Sequence, residues 1–249
     1  MTWKKLAVIV VPAVALALGA SGGAEAANLV TNGGFESFTG STFDTGGTNN
    51  KQYFPTAAPT GWSGGSGLTF LDAPGTADNS ADYLAVYGPF PSTSPNGGNF
   101  VEADGDPAYS HTAVSQTING LTAGQSYTVT FYTAAGQQLD FTGPTTEWWT
   151  VGFGGDATQN SSVFTLAQGG VGPWQLQTMT FVADGTSDVL SFLSQGTPSV
   201  QPPIDFLDGV SVVPTTSVPL PGPLSLAAFG LLGLGAVGLL YRRGKSAAV

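Results

Sequence analysis

Cysteine is absent from this chain of 249 residues, so no disulfide can staple the fold and any domain must rely on its own hydrophobic core. Basic side chains are almost as scarce, because Lys51 is the only one between Ala27 and Ser217. That stretch holds every acidic residue except Glu25, which leaves 16 − 1 = 15 carboxylates and a formal charge of 1 − 15 = −14. Such a surface repels phosphate backbones, so nucleic acid is excluded as a partner and divalent cations or neutral ligands are favoured.

Long surface helices are excluded by a charged fraction of only 9%, since their exposed faces usually carry Glu, Lys and Arg. Instead, Tyr127, Val129 and Phe131 alternate with two threonines and a tyrosine, a period of two that is typical of a half-buried strand. The sequence therefore predicts an all-β fold: a two-sheet antiparallel β-sandwich of the jelly-roll kind over residues 27–213. The other predicted strands are Tyr83 to Tyr87, Asn99 to Ala103, Thr112 to Ile118, Trp148 to Phe153, Gln175 to Val182, Val189 to Ser194 and Phe206 to Val213.

The N-terminus reads as a cleavable secretion signal over residues 1–26. Two lysines precede the apolar run from Leu6 to Leu18, and small residues ending in Ala24-Glu25-Ala26 follow. We expect cleavage between Ala26 and Ala27. An uncleaved anchor is the alternative, although roughly 13 apolar residues are short for a membrane span.

The C-terminus reads as a proline-rich linker with a processing motif (214–223), a transmembrane helix (224–241) and a basic cytoplasmic tail (242–249). The uncharged stretch reaches about 27 Å as a helix, enough to cross a hydrocarbon core. The basic residues after it are expected to stay inside. The predicted topology is an exported domain anchored in the membrane by its C-terminal helix.

This C-terminal order resembles the PEP-CTERM sorting signal of Gram-negative envelopes. The motif Val218-Pro219-Leu220-Pro221 is similar to the recognised variant with leucine in place of glutamate. The resemblance implies that an exosortase cuts here and that the protein accompanies exopolysaccharide production. A permanent single-pass anchor is the alternative.

The domain itself resembles galactose-binding-like, carbohydrate-binding-module-type jelly rolls. The resemblance lies in the opening Asn28 to Glu36, the closing Leu207 to Val212, Pro59 to Trp62 and Gly120 to Tyr127. It implies a structural calcium site that includes Glu36 and Asp208. Gly209 stands where the family has a second Asp, and two turn-capping carboxylates are the alternative.

Two further patterns look like functional motifs but are better explained by structural roles. Glu102, Asp104 and Asp106 lie within five residues, and we expect them to form a solvated acidic loop. The run Gly61-Trp62-Ser63-Gly64-Gly65 fits the nucleophile elbow of hydrolases, but no strand, turn and helix of a parallel sheet are predicted around it. A glycine-rich loop anchored by a buried Trp62 is the better interpretation.

Adjacent Trp148 and Trp149 are predicted to point to opposite faces of a strand. An outward ring could stack on a sugar, framed by Tyr109, so these three aromatic residues are the candidate carbohydrate contacts. The alternative has one ring in the core and the other covered by a loop.

The sequence thus favours a non-enzymatic surface or matrix protein that binds polysaccharide, with no catalytic residues and with calcium as the one expected cofactor. A glycan-active hydrolase and a purely structural envelope component remain alternatives.

Overall fold

The computed structural model describes residues 26–40, 51–57 and 59–215. The predicted transmembrane span, the basic tail, the motif Val218 to Pro221 and the signal peptide up to Glu25 lie outside these described residues. Within them, no helix is long and apolar enough to cross a membrane.

The described residues form twelve strands and one helix, α1 (Phe54–Ala57), of four residues. The strands are β1 (Lys51–Tyr53), β2 (Ser63–Gly64), β3 (Thr69–Asp72), β4 (Phe100–Asp104), β5 (Val114–Asn119), β6 (Ser126–Gln137), β7 (Thr145–Phe153), β8 (Gln159–Asn160), β9 (Phe164–Leu166), β10 (Val171–Val182), β11 (Ser187–Thr197) and β12 (Pro203–Pro214).

The strands build two antiparallel sheets that face each other. The first sheet has the order β1-β3-β4-β12-β6-β10, and the second has the order β2-β5-β11-β7-β8, with β9 also paired to β7. From β4 to β7, and again from β10 to β12, successive strands alternate between the sheets. This is the connectivity of a jelly-roll type of sandwich, and the predicted all-β fold is confirmed.

Alternating side chains of the long strands fill the space between the sheets. Phe131 on β6 and Phe192 on β11 meet edge to face with ring centroids 5.0 Å apart, and Trp149 on β7 contacts Phe192 in the same way. The Trp149 indole N–H donates to the backbone oxygen of Phe206, 3.1 Å away, so this buried polar group is satisfied. The core explains why period 2 is so clear in these strands.

The predicted strand Tyr83 to Tyr87 is wrong. These residues form turns with one isolated bridge between Val86 and Gln138. They belong to residues 73–99, a covering segment that crosses the outer face of the first sheet. Leu84 and Val86 are buried because they pack on that outer face. Their alternating apolar spacing therefore arises from a loop that lies on the sheet, and they are not part of a strand.

The covering segment seals the first sheet with a second apolar cluster. Phe90 from this segment packs on Phe206 of β12 with ring centroids 4.3 Å apart, and Phe100 of β4 completes the group. The part of the first sheet formed by β4 and the first half of β12 is therefore buried on both faces. Within the described part of the chain, nothing comparable covers the outer face of the second sheet.

Candidate functional site

The three clustered carboxylates are buried, so the expected solvated acidic loop is wrong. Glu102 and Asp104 lie on β4, in which every residue is buried. The Asp106 carboxylate accepts backbone N–H groups from Ala108 at 2.8 Å and Val200 at 2.6 Å. The physical reason is that β4 lies in the part of the first sheet that is covered on both faces, so its outward positions are no more solvated than its inward ones.

The elbow-like run is structural, as expected. Trp62 is buried, and its indole N–H donates to the backbone oxygen of Asn32 at 3.0 Å. Ser63 lies on the short edge strand β2, paired with β5. Its hydroxyl contacts that of Ser115 at 3.3 Å, an arrangement unlike a strand, turn and helix around a nucleophile.

Glu36 and Asp208, 172 positions apart, converge on the same short loop within the covering segment. Asp208 accepts hydrogen bonds from the Ser94 hydroxyl and from the Asn96 amide at 3.5 Å. Glu36 Oε1 accepts the backbone N–H of Asn99 at 2.8 Å. Gly98 lies against the Glu36 carboxylate so closely that a Cβ there would collide with it.

The electrostatics of this pair suit a hard cation. Burial raises the pKa of Asp208 to about 7, and the neighbouring Glu36 charge adds to that rise. Burial also raises the pKa of Glu36. The carboxylates of buried Asp208 and exposed Glu36 carry like charge, and the Ser94 hydroxyl lies beside Asp208. Carboxylate and hydroxyl oxygens are donors that calcium takes. Among the described residues, no group of three or more acidic or histidine side chains forms a metal cluster, so backbone oxygens and water would have to complete a shell.

The two tryptophans point to opposite faces of β7, as predicted. Trp149 is fully buried in the core, so it cannot present its ring to a sugar and is withdrawn as a candidate contact. Trp148 is half-buried on the outer face of the second sheet, directly opposite Gln195 of β11. Trp148 is thus the aromatic side chain of the pair that a ligand can reach.

The outer face of the second sheet, called the open face below, carries no charged side chain. Its members have small, hydroxyl, amide or apolar side chains. Besides the Ser63 to Ser115 contact, hydroxyl groups join neighbouring strands at Thr146 to Thr197, 2.6 Å apart, and at Thr150 to Asn160, 2.9 Å apart. By register and burial, the outward positions are Ser63, Ser115, Thr117, Asn119, Thr146, Trp148, Thr150, Gly152, Asn160, Thr165, Ser187, Val189, Ser191, Leu193, Gln195 and Thr197.

One end of the open face descends into a pocket of about 390 Å³. Thr146, Thr165 and Thr197 of the open face form one wall, and Pro144 and Pro198 lie beside them. Thr146 is two residues from Trp148 on β7, so the ring and the pocket share one surface. Sequence reasoning missed this pocket, because the loops before β7 and after β11 meet only in the folded chain.

Tyr109 lies on the loop between β4 and β5, beside the open face. His111 holds the loop there, with one ring nitrogen 2.9 Å from the Tyr109 backbone oxygen and the other 2.8 Å from that of Ser194. Ser194 precedes Gln195, the partner of Trp148. The Tyr109 side chain is 50% exposed.

No known family model matches the chain, and no curated protein sequence matches it. Among solved structures, the chain is similar to TmCBM61 in complex with β-1,4-galactotriose, at 16% identity over 76% of this chain and 99% of that chain, with a TM-score of 0.40. It is similar to the CBM22-1 xylan-binding domain from Paenibacillus barcinonensis Xyn10C, at 12% identity over 68% of this chain and 94% of that chain, with a TM-score of 0.36. It is also similar to the K1 cleaved adhesin domain of Lys-gingipain from Porphyromonas gingivalis, at 17% identity over 67% and 98% of the two chains, with a TM-score of 0.37. Likenesses this distant assign no ligand to this chain.

Proposed function

We propose that the sandwich is a non-enzymatic binding domain for a neutral polysaccharide, which it takes along the open face. The observation that carries this proposal is an uncharged face of hydroxyl and amide side chains around Trp148, on a domain whose formal charge is −14. The acidic residues on strands of the second sheet, Glu147 and Asp188, are buried and do not belong to the open face. A neutral ligand needs no charged partner, so a face of hydroxyl and amide groups is able to hold it.

The chemistry of the face matches a sugar chain. The Trp148 ring offers an apolar platform with a polar indole N–H, on which the C–H face of a pyranose can lie. Threonine hydroxyls and the Gln195 amide around it donate and accept hydrogen bonds, as sugar hydroxyls do. The pocket beyond Thr146 is large enough for one or two sugar units. An acidic polysaccharide would meet repulsion from the rest of the domain.

A glycan-active hydrolase is less well supported. Hydrolysis of a glycosidic bond ordinarily needs two carboxyl groups flanking the scissile bond. None of the outward positions of the second sheet is Asp or Glu, and the buried carboxylates Glu102, Asp104 and Asp106 are engaged inside the domain.

We further propose that the domain is exported and sorted to the cell surface or extracellular matrix. The support is in the sequence of the two ends: a signal peptide cleaved between Ala26 and Ala27, and the motif Val218 to Pro221 before an apolar span. An exosortase-type enzyme would be the processing partner, and the C-terminal helix would hold the chain in the membrane until it is cut. Exopolysaccharide in the matrix would then be the natural source of the neutral sugar chain.

Calcium at Glu36 and Asp208 is proposed as a structural ion. Asp208 immediately precedes the bulge at Gly209 in β12, and Glu36 lies in the N-terminal segment. An ion shared by these two carboxylates would hold the first described segment and the loop at Asn96 against the last strand. Its role would be to fasten the fold, since the open face belongs to the other sheet.

The test is a glycan array probed with the purified chain, followed by titration of any hit with the Trp148→Ala variant. Loss of a binding aromatic ring typically costs about 2 kcal/mol or more, so we expect affinity to fall at least tenfold. The matched control is Tyr83→Ala, which removes another exposed aromatic ring, 62% exposed, from the side of the first sheet. Unchanged affinity of Trp148→Ala, or an equal loss in both variants, would refute the assignment of the open face.

A further inference from the structure

Lys51, the lone basic residue of the domain, is buried between two carboxylates. It lies on β1 directly opposite Asp72 of β3, with Nζ 3.4 Å from Asp72 Oδ2. Its Nζ donates to Glu102 Oε2 of β4 at 2.5 Å. The side chains of all three residues are almost wholly removed from solvent. An amine, a carboxyl group to react with it and a second carboxyl group to move protons therefore meet in one closed site.

The covering segment closes this site from above. The backbone oxygens of Ala77 and Leu84 lie 3.3 and 3.4 Å from Lys51 Nζ and accept its remaining hydrogens. They orient the amine and exclude bulk water. Asp72 Oδ1 and Glu102 Oε1 have no hydrogen-bond partner among the described residues. The polar groups of the site are thus incompletely satisfied, which is costly for a purely structural ion pair.

Two carboxylates share one ammonium here, and both bind a proton more readily than a carboxylate in water does. Burial, and the charge of Asp72, raise the pKa of Glu102 well above its usual range, and burial raises the pKa of Asp72 to about 6. Glu102 is therefore able to keep and return a proton beside both reacting groups. This is the arrangement a condensation between an amine and a carboxylic acid needs.

We propose that Lys51 and Asp72 are joined by an isopeptide bond that forms within the folded domain, with Glu102 as the catalytic proton-transfer group. Glu102 accepts a proton from the Lys51 ammonium, and the neutral amine attacks Cγ of Asp72. Glu102 passes this proton, and then a second one that the attacking nitrogen releases, to a departing Asp72 oxygen. The C–O bond breaks and one water molecule leaves. The new C–N bond replaces an ammonium and a carboxylate with a neutral amide, and Glu102 returns to its starting state.

The physical driving force is the burial of the pair. Burying an ammonium and a carboxylate costs their hydration free energy. Forming the amide removes both charges and so removes this cost. The register of β1 and β3 holds the two groups in contact, which makes an otherwise slow bimolecular reaction intramolecular. The bond would tie the edge strand β1, which has only three residues, to the sheet in a domain without disulfides.

The sequence supplies an unusually direct test. Trypsin cuts after Lys and Arg, and Lys51 is the one such residue between Lys5 and Arg242. An amide at Nζ blocks that cut. The full-length chain, denatured and digested to completion, should therefore lack the fragment that begins at Gln52. The matched control is Lys51→Arg, which keeps the buried positive charge, cannot form the bond, and should release that fragment.

Intact mass gives the second readout. The folded chain should be lighter than its sequence by one water molecule, and fragmentation should join the peptides around Lys51 and Asp72. Glu102→Gln should have the full mass of its sequence and should be cut by trypsin after Lys51. Asp72→Asn should still form the bond, with loss of ammonia in place of water. The wild-type chain decides the matter even if these variants fail to fold: full sequence mass together with complete cleavage after Lys51 would overturn the proposal.

Discussion

Glu147 offers a sharp test of how the core treats a buried acid. It lies on the inward face of β7, opposite Gly196 of β11, and its side chain is fully buried. Neither of its carboxyl oxygens has a hydrogen-bond partner among the described residues. The nearest acidic groups are Asp205 on β12 and, beyond it, Asp104 on β4, with His111 next to Asp104. No cation of the described residues approaches Glu147, so ionising it would leave an uncompensated charge.

Burial raises the pKa of Glu147 from 4.5 to about 8. A group whose folded pKa is raised contributes stability that is fully present below the unfolded pKa and is lost as the pH rises through the folded pKa. The window here runs from about pH 4.5 to about pH 8. At about 1.4 kcal/mol for each unit, the difference of roughly 3.5 units amounts to about 5 kcal/mol of unfolding free energy. The pKa of Asp205 is raised by burial as well, and it acts in the same direction.

The perturbation is Glu147→Gln, which keeps the shape and removes the titration. Urea unfolding of the purified chain between pH 4 and pH 9 should show both proteins losing stability toward high pH, since Asp104, Asp205 and Asp208 also have raised pKa values. The loss should be smaller by about 5 kcal/mol in the variant, which lacks the Glu147 contribution. Asp140→Asn, at an exposed carboxylate, is the matched control and should follow the wild type. A wild-type stability that stays level or rises from pH 5 to pH 9 would show that Glu147 is not held as the neutral acid.

Two further predictions concern the ion and the processing motif. Calcium at about a hundred times its Kd should stabilise the domain by roughly 2.7 kcal/mol, a rise in Tm of several degrees at roughly 2–4 °C per kcal/mol; differential scanning calorimetry checks this. An equal rise with sodium at matched ionic strength, or in the double variant Glu36→Ala with Asp208→Ala, would rule out a specific site. In a host with an exosortase, mass spectrometry of the mature chain should find its C-terminus near Val218 to Pro221, and an intact Val249 there would leave only the simple anchor.

The sandwich could be predicted because alternation records burial directly. In β6, β7, β11 and most of β10, every second side chain faces the core, and the sequence shows the same period. The sequence does not indicate the short strands β1, β2, β3, β8 and β9, since two to four residues are too few to display a period. The opposite orientations of Trp148 and Trp149 also followed from the pleat alone, whereas which of the two rings is buried did not.

Burial of the carboxylates was decided only by tertiary structure. Glu102 and Asp104 read as solvated because an acidic side chain usually faces water, yet the covering segment over the first sheet makes both faces of β4 interior. The same segment determines which sheet keeps an open face, and no local pattern indicates where a long loop will lie.

The sequence by itself determined the class of fold, the −14 charge and the isolation of Lys51 as the one cation of the domain. Tertiary structure decided that Lys51 meets Asp72 and Glu102, which are 21 and 51 positions away in the chain. The physical reason is that periodicity and composition are properties of short stretches of sequence. The register of β1, β3 and β4, and the position of the covering segment over them, depend instead on contacts between distant parts of the chain.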